Sequence, residues 1–284
     1  MNTANREADL QNSRSGANVN INGKSLPIRV FIFCLIAEVS FVLLDAFVNY
    51  GEGSKFSSIR HLFDSTSEVS ISSWFMITQT FVAALVLWVV FLIHRDLAQS
   101  KPRMAGWGFL AGFFTYMAAD DGAMIHEAVG SVFYDAFGAG KNANTEGFMG
   151  QIQALFPSYE WQLVVLPILV AAGVFMLIFL WREFHTRAER MLLVSAATCM
   201  GFAVGLDFIE GLAVRHPWNL RVWFAGKFDI HLHAAAHYSR SLEESLEMLA
   251  MSLLLMLFLR HLIRLSQPGL TFSFSGVKHV SSIQ

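Results

Sequence analysis

Six apolar runs of about twenty residues lie along this chain, and they limit its fold more than any other feature. A helix rises 1.5 Å per residue, so about twenty apolar residues cross the roughly 30 Å hydrocarbon layer of a bilayer. The runs cover 28–50, 71–94, 104–127, 160–181, 191–214 and 239–262. The chain is 54% hydrophobic and only 15% charged. Together these predict an all-α, polytopic membrane helix bundle of about six transmembrane helices. Residues 1–27 are polar and read as a disordered tail, 28–265 as the bundle and 266–284 as a second tail. Cys34 and Cys199 both fall inside apolar runs and read as small packing residues, not a disulfide. The net charge of −2 and the lack of a basic patch give no reason to expect a nucleic-acid partner.

An even number of spans puts both ends of the chain on one face, and the basic residues say which. Arg6, Arg14, Lys24 and Arg29 precede the first run; Arg95, Lys101 and Arg103 separate the second from the third. Arg182, Arg187 and Arg190 separate the fourth from the fifth, and Arg260, Arg264 and Lys278 follow the last. The other connections are poorer in Lys and Arg, except 215–240 with Arg215, Arg221, Lys227 and Arg240. The positive-inside rule therefore places both termini in the cytoplasm.

With that topology fixed, the acids fall into one layer. Asp120 lies 17 residues beyond Arg103, Asp207 lies 17 beyond Arg190, and Glu247 lies 17 before Arg264. At 1.5 Å per residue each is about 25 Å from the cytoplasmic boundary. A charged side chain in hydrocarbon costs about 2.5–3.5 kcal/mol even on the lenient scale, so these groups must face water, a partner helix or a metal. The third span ends in Asp120-Asp121-x4-His126-Glu127. The fifth carries Asp207 and Glu210, three apart on one face. The sixth aligns His233, His237, Arg240, Glu244 and Glu247 within about ±40° of one line, with Glu243 to one side.

Imidazoles and carboxylates converging from several helices make a metal-ligand set. The candidate ligands are Asp120, His126, Glu127, Asp207, Glu210, His233, His237, Glu244 and Glu247, and their carboxylate-rich character points to paired iron or manganese, with zinc as the alternative. Arg240, Asp121 and Glu243 would balance charge or hold substrate. Structural explanations exist for each group alone. His126-Glu127 would sit cheaply in the headgroup layer, Asp207-Glu210 would bond Ser or Thr across helices, and Glu243-Glu244-Glu247 would suit a helix N-terminus. A shared depth favours a shared site.

The Asp-Asp-x4-His-Glu end of the third span and the Glu243-Glu244-x-x-Glu247-Met start of the last resemble a group of uncharacterised bacterial multipass membrane proteins, whose usual version reads Asp-Glu-x4-His-Glu. The resemblance covers essentially all the spans and implies a bacterial inner (cytoplasmic) membrane, but no activity. A weaker similarity is to ceramidase-like membrane hydrolases. Their zinc is held by a His-x3-His on the last helix and a His four after a Ser, spacings that His233-x3-His237 and Ser57-x3-His61 match. That superfamily has seven spans, and a crowd of acids is foreign to it.

The segments 128–159 and 215–238 read as a roof in the headgroup layer, the second carrying Trp218, Trp223, Phe224 and Phe228. Such a roof would admit membrane lipids, a lipid-like molecule or a quinone sideways. The expectation is a metal-dependent membrane oxidoreductase or hydrolase acting on a lipid-like substrate; the alternative is a non-enzymatic proton- or cation-handling, sensor or assembly protein whose buried acids are structural.

Overall fold

The computed structural model describes residues 19–20, 23–97, 99–137, 147–266 and 271–272. Most of both expected tails lies outside the described residues. Eleven α-helices are present among the described residues. They are α1 (Leu26–Leu44, continued by a π-helical segment Asp45–Tyr50), α2 (Ser57–Leu62), α3 (Ile71–Asp96) and α4 (Lys101–Ala123). Then come α5 (Ile125–Phe137), α6 (Phe148–Leu155), α7 (Glu160–Val164) and α8 (Leu166–Glu183). The chain closes with α9 (Arg187–Gly211), α10 (Leu220–Phe228) and α11 (Leu232–Leu265). A two-residue antiparallel pairing of Val19–Asn20 with Thr271–Phe272 joins the segments flanking the bundle.

The helices begin where the residues dictate. Ser70 caps α3 by accepting the Ser73 N–H at 3.2 Å, leaving one fewer orphan donor in the first turn. Thr186 and Glu189 form a reciprocal capping box at the start of α9. Proline stands in the first turn of α1, α4 and α8, where its missing N–H costs nothing.

Five helices are long and apolar enough to cross a membrane: Leu26–Tyr50, Ile71–Asp96, Leu166–Glu183, Arg187–Gly211 and Leu232–Leu265. They match the first, second, fourth, fifth and sixth expected runs, with shifted ends. The fourth run is divided at Val165 into α7 and α8. The last is longer than expected, because the chain is already helical at Leu232. The third run falls on α4, whose glycines and terminal acids lower its hydropathy, and it too is cut short of its expected end at Glu127.

Helix α11 is the axis of the bundle. It packs along α9 on one side and along α1 and α3 on the other, while α4 lies mainly along α3. Nearly all of its length from Met248 to Leu262 is buried. Where α4 meets α11, Phe114 sets its edge on Phe258 at 5.3 Å and Trp107 stacks on His261 at 4.5 Å. Cys34 is buried on α1, Cys199 is half-buried on α9, and both are free thiols.

One end of the bundle is clamped by ion pairs between helices. Arg103 of α4 holds Glu183 of α8 at 2.8 Å, and Arg264 of α11 holds Glu189 of α9 at 2.6 Å. Asp120 and Asp207 lie toward the opposite ends of α4 and α9, and Glu247 lies near the middle of the longer α11.

Gly130 of α5 packs tightly on α7: a Cβ there would come to 2.8 Å from the Trp161 backbone nitrogen, which has no freedom to turn aside. Gly173 of α8 would have nothing within 4 Å of the same atom. Gly130→Ala is therefore expected to lose about 1–3 kcal/mol and lower the thermal midpoint, whereas Gly173→Ala leaves it unchanged or higher. Thermal unfolding of the two variants in one detergent checks the contrast.

Candidate functional site

The site begins with a break in a helix. Met124 takes a left-handed conformation (φ 50°), uncommon for a residue with a Cβ, and separates α4 from α5. Asp120 braces the break. Its Oδ1 accepts the His126 N–H at 2.8 Å, and its Oδ2 lies 3.0 Å from His126 Nδ1. An ionised carboxylate only accepts, so Nδ1 carries the proton and Nε2 is left as the nitrogen free to act. Trp161 packs its edge against the imidazole at 4.8 Å. Asp120 is buried, His126 half-buried and Glu127 exposed. The break also removes the straight-helix relation in which Asp120 and Glu127 would share one face.

Helix α9 brings Asp207 and Glu210, which have different surroundings. Asp207 accepts from Gln162 Nε2 at 2.7 Å. Glu210 is neutralised several times over: Arg240 of α11 pairs with its Oε1, Arg221 of α10 lies 3.8 Å from its Oε2, and Tyr159 donates to Oε1 at 3.1 Å. Partial burial pushes the Tyr159 hydroxyl above its ordinary range, against the pull of Arg240. Arg240 thus takes Glu210 as its partner; an Arg240–Asp207 ion pair is absent among the described residues.

Helix α11 supplies the rest. Arg240, Glu243, Glu244, Glu247, Met251 and Leu254 project within about ±50° of one line, and all six line one cavity. Glu247 has Glu244, Asp121, Asp207 and Glu68 as its charged neighbours, all of its own sign. Glu243 Oε2 is buried without a hydrogen-bond partner.

This cavity, of about 1280 Å³, gathers Asp120, Asp121, His126, Glu127, Asp207 and Glu210 as well. Ten of the twelve residues singled out from the sequence therefore meet in one place. Its deeper wall is apolar. Helix α8 gives Leu166, Leu169, Val170, Gly173, Val174 and Leu177, and α9 gives Leu193, Ala196, Ala197, Met200, Gly201 and Val204. These are spaced by ones and threes, so each helix turns one face to the cavity, and part of that face, Leu193 and Ala196 of α9, also packs in the bundle core. Phe113, Phe114 and Met117 of α4 close the side. Along α9, Leu193 to Asp207 spans 14 residues, which makes the chamber about 21 Å deep.

The remaining two residues go elsewhere. His233 is exposed and does not line the cavity. His237 turns toward α1, where its Nε2 lies 2.9 Å from Asp45 Oδ2 and its ring stacks on Tyr50. The reason is angular. His237, Ser241 and Ser252 centre about 100° round α11 from the acidic stripe, so the helix carries polar groups on two faces rather than one. Among the described residues, Asp45, Asp64 and His237 are the one group whose three ligand atoms all lie within 4.8 Å of one another. The cavity acids stand farther apart. His61 is exposed on α2.

Three contributors carried no signal in the sequence pattern. Glu68 follows α2 in a polar loop with no periodicity, and Tyr159 and Trp161 are aromatic residues near a span end. Loss of hydration, and then the neighbouring Glu127 carboxylate, raise the Glu68 carboxyl above the usual glutamate range. The roof comes from α5 and α7, through Ser131, Tyr134, Asp135, Tyr159, Glu160 and Trp161. Helix α10 reaches the site only through Arg221, while Trp223, Phe224 and Phe228 are exposed.

A family model described as a domain of unknown function (DUF8692) matches residues 29–262. No curated protein and no solved structure matches the chain.

The two kinds of acid in the cavity differ in sign when removed. Glu210→Ala strands Arg221 and releases the half-exposed Arg240, and is expected to cost about 1–3 kcal/mol. Glu247→Gln deletes one of several mutually repelling charges and should raise the thermal midpoint of protein stripped of divalent ions with chelator. Calorimetry on the two variants decides it, and a large loss in Glu247→Gln would contradict this account of the electrostatics.

Proposed function

We propose that this chain, which belongs to the DUF8692 family, is a six-span membrane enzyme with both termini in the cytoplasm, using a divalent metal at its acidic outer mouth to act on a lipid-like substrate. One observation carries the reading: sequence-distant carboxylates and an oriented imidazole converge on the mouth of a cavity whose deep wall is apolar. Helix α4, the third expected run, would complete the six spans, its hydropathy lowered by the residues that build the site. The resemblance to bacterial multipass proteins supports a place in the bacterial inner membrane.

The donor set fits a hard or borderline divalent cation. Asp121, Glu244 and Glu247 would hold it, with Glu68, Asp207 and Glu127 around them; this leans to manganese or iron, with zinc the alternative. The acids stand apart because like charges repel, and a cation at their centre reverses that force. A metal bound there would supply an activated water or a polarised substrate oxygen.

The chain's own residues have distinct parts. Asp120 fixes the His126 tautomer and leaves Nε2 free to accept a proton at the mouth. Arg240, held by Glu210, orients a polar head. The α8 and α9 faces exclude water and take the apolar chain, so a long-chain lipid or quinone fits and a small polar solute does not. An imidazole poised as a base favours hydrolysis over oxidation on a paired metal. The wide spacing of the cavity acids favours a second reading, in which the mouth concentrates cations without chemistry.

Protein purified without chelator is expected to hold stoichiometric manganese, iron or zinc by elemental analysis, falling at least about tenfold in Glu244→Gln/Glu247→Gln while the protein stays folded. Wild-type protein free of these metals sinks the enzyme reading and leaves the second. For topology, a cysteine at Lys227 is expected to label with an impermeant maleimide in intact cells and one at Ser100 is not. The reverse pattern would move the acidic mouth to the cytoplasmic side.

A further inference from the structure

The chamber is enclosed by a ring of helices, α11, α9, α8, α4 and α3, each packed on the next. The wall is tight where α9 meets α11: Ala196 and Ala203 are buried on that side, and Glu210 reaches Arg240. It is tight where α8 meets α4, with Phe179 against Trp107 at 5.3 Å and Phe175 against Phe109 at 4.7 Å. The junction between α8 and α9 differs.

Going round α8 away from α4, the lining residues end at Val170 and Val174, which are 53% and 50% exposed. About 40° farther round stands Ile178, exposed on the outer surface, so no closed edge separates chamber from surroundings. Going round α9 away from α11, the lining ends at the exposed Gly201, and Val194, 50% exposed, follows about 20° beyond it. A Cβ on Gly173, Gly201 or Gly205 would meet nothing within 4 Å. Glycine in a membrane helix ordinarily lets a neighbour come close; at these three positions no neighbour has come, and the space stays open. The two open edges are level. Val170 stands 13 residues before the end of α8 and Gly201 14 residues past the start of α9, about 20 Å from the ion-paired end in both cases. Val174 and Ala197 are likewise level, about 14 Å from it.

We propose that the α8–α9 seam is a side door through which the acyl chain of a bilayer lipid enters the chamber. The door presupposes the lipid-binding chamber proposed above and supplies its route of entry. At this height, inside a hydrocarbon layer roughly 30 Å thick, the seam is surrounded by lipid chains. Asp207 lies six residues, or about 9 Å, farther along α9 than Gly201. A lipid whose chain slips through the seam therefore brings its polar head to the acids without leaving the bilayer. Past the door the chamber continues to Leu193, and its volume of about 1280 Å³ exceeds the roughly 300–1,000 Å³ of ordinary small-ligand pockets. A door edged by Val170, Val174 and Gly201 offers nothing to a polar solute, which would come through the acidic mouth.

The test uses the full-length protein with p-benzoylphenylalanine in place of Met200, a lining residue about 100° round α9 from Gly201. The protein is moved from detergent into vesicles of chain-deuterated phosphatidylglycerol and phosphatidylethanolamine, so only chains that enter afterwards carry the label. Illumination is expected to join residue 200 to a deuterated acyl chain, identified by mass spectrometry of the peptide. Gly201→Trp, which plugs the seam, should abolish that adduct. Ile168→Trp, at nearly the same height on the exposed outer face of α8, should leave it unchanged. Gly201→Cys in a Cys199→Ala background removes folding from the comparison: a bulky methanethiosulfonate added before reconstitution should abolish the adduct, and a reductant should restore it. An adduct indifferent to both blocks would overturn the door and leave the lipid in the chamber. No adduct at residue 200, with p-benzoylphenylalanine at residue 168 still reacting with lipid, would overturn the door together with the lipid reading. Neither result depends on metal or turnover, so the metal centre is judged separately.

Discussion

A carboxylate removed from water must be matched by something inside the protein, and this requirement governs the bundle from its axis outward. Helix α11 carries acids and polar groups on two faces, and each neighbour answers one of them. Toward α1 and α3, Asp45 meets His237 at 2.9 Å and Glu38 meets Ser252 at 2.6 Å. Toward α9, Glu210 meets Arg240 and Arg221. These contacts satisfy the structural acids. Asp121, Glu244 and Glu247 have mainly like charges for neighbours, with His126 beside Asp121 and Arg240 beside Glu244, and no ion pair holds them among the described residues. A group that folding leaves unmatched is where function is to be sought.

The packing explains how such a place persists. Ion pairs at one end, Arg103–Glu183 and Arg264–Glu189, tie α4 to α8 and α9 to α11. Beyond them the chamber runs from Leu193 to Asp207 of α9, lined by apolar residues of α8 and α9. A lipid-facing bundle gains nothing by leaving such faces empty, because close contact is what holds membrane helices together. In the proposed reading this apolar wall takes the chain of a lipid-like substrate. The broken α4–α5 and α7–α8 junctions lie at the Asp207 end, where the chain departs from straight helices to roof the mouth.

The sequence was informative where periodicity and depth carry the information. Five apolar runs appear as long helices, and the count of 17 residues that set Asp120, Asp207 and Glu247 at one level was enough to bring them to one cavity. Met251 and Leu254 follow the acids down the same face of α11, as the helical repeat requires. What periodicity could not convey was a break. The left-handed Met124 reorients His126 onto Asp120 and moves Glu127 to the rim, and no residue type at 124 announces it. His237 was misaligned for another reason: at about 60° from Arg240 it lies between two faces, and only Asp45 of α1 decides which one it joins. Glu68 came from a loop, where spacing says nothing about depth.

The central claim is that the unmatched acids of the mouth hold a divalent metal over an apolar chamber. The most direct measurement is an anomalous-scattering map of the protein crystallised with manganese. The account predicts a peak among Asp121, Glu244 and Glu247 within reach of His126. A map without a peak there, or with its manganese among Asp45, Asp64 and His237 alone, would contradict it.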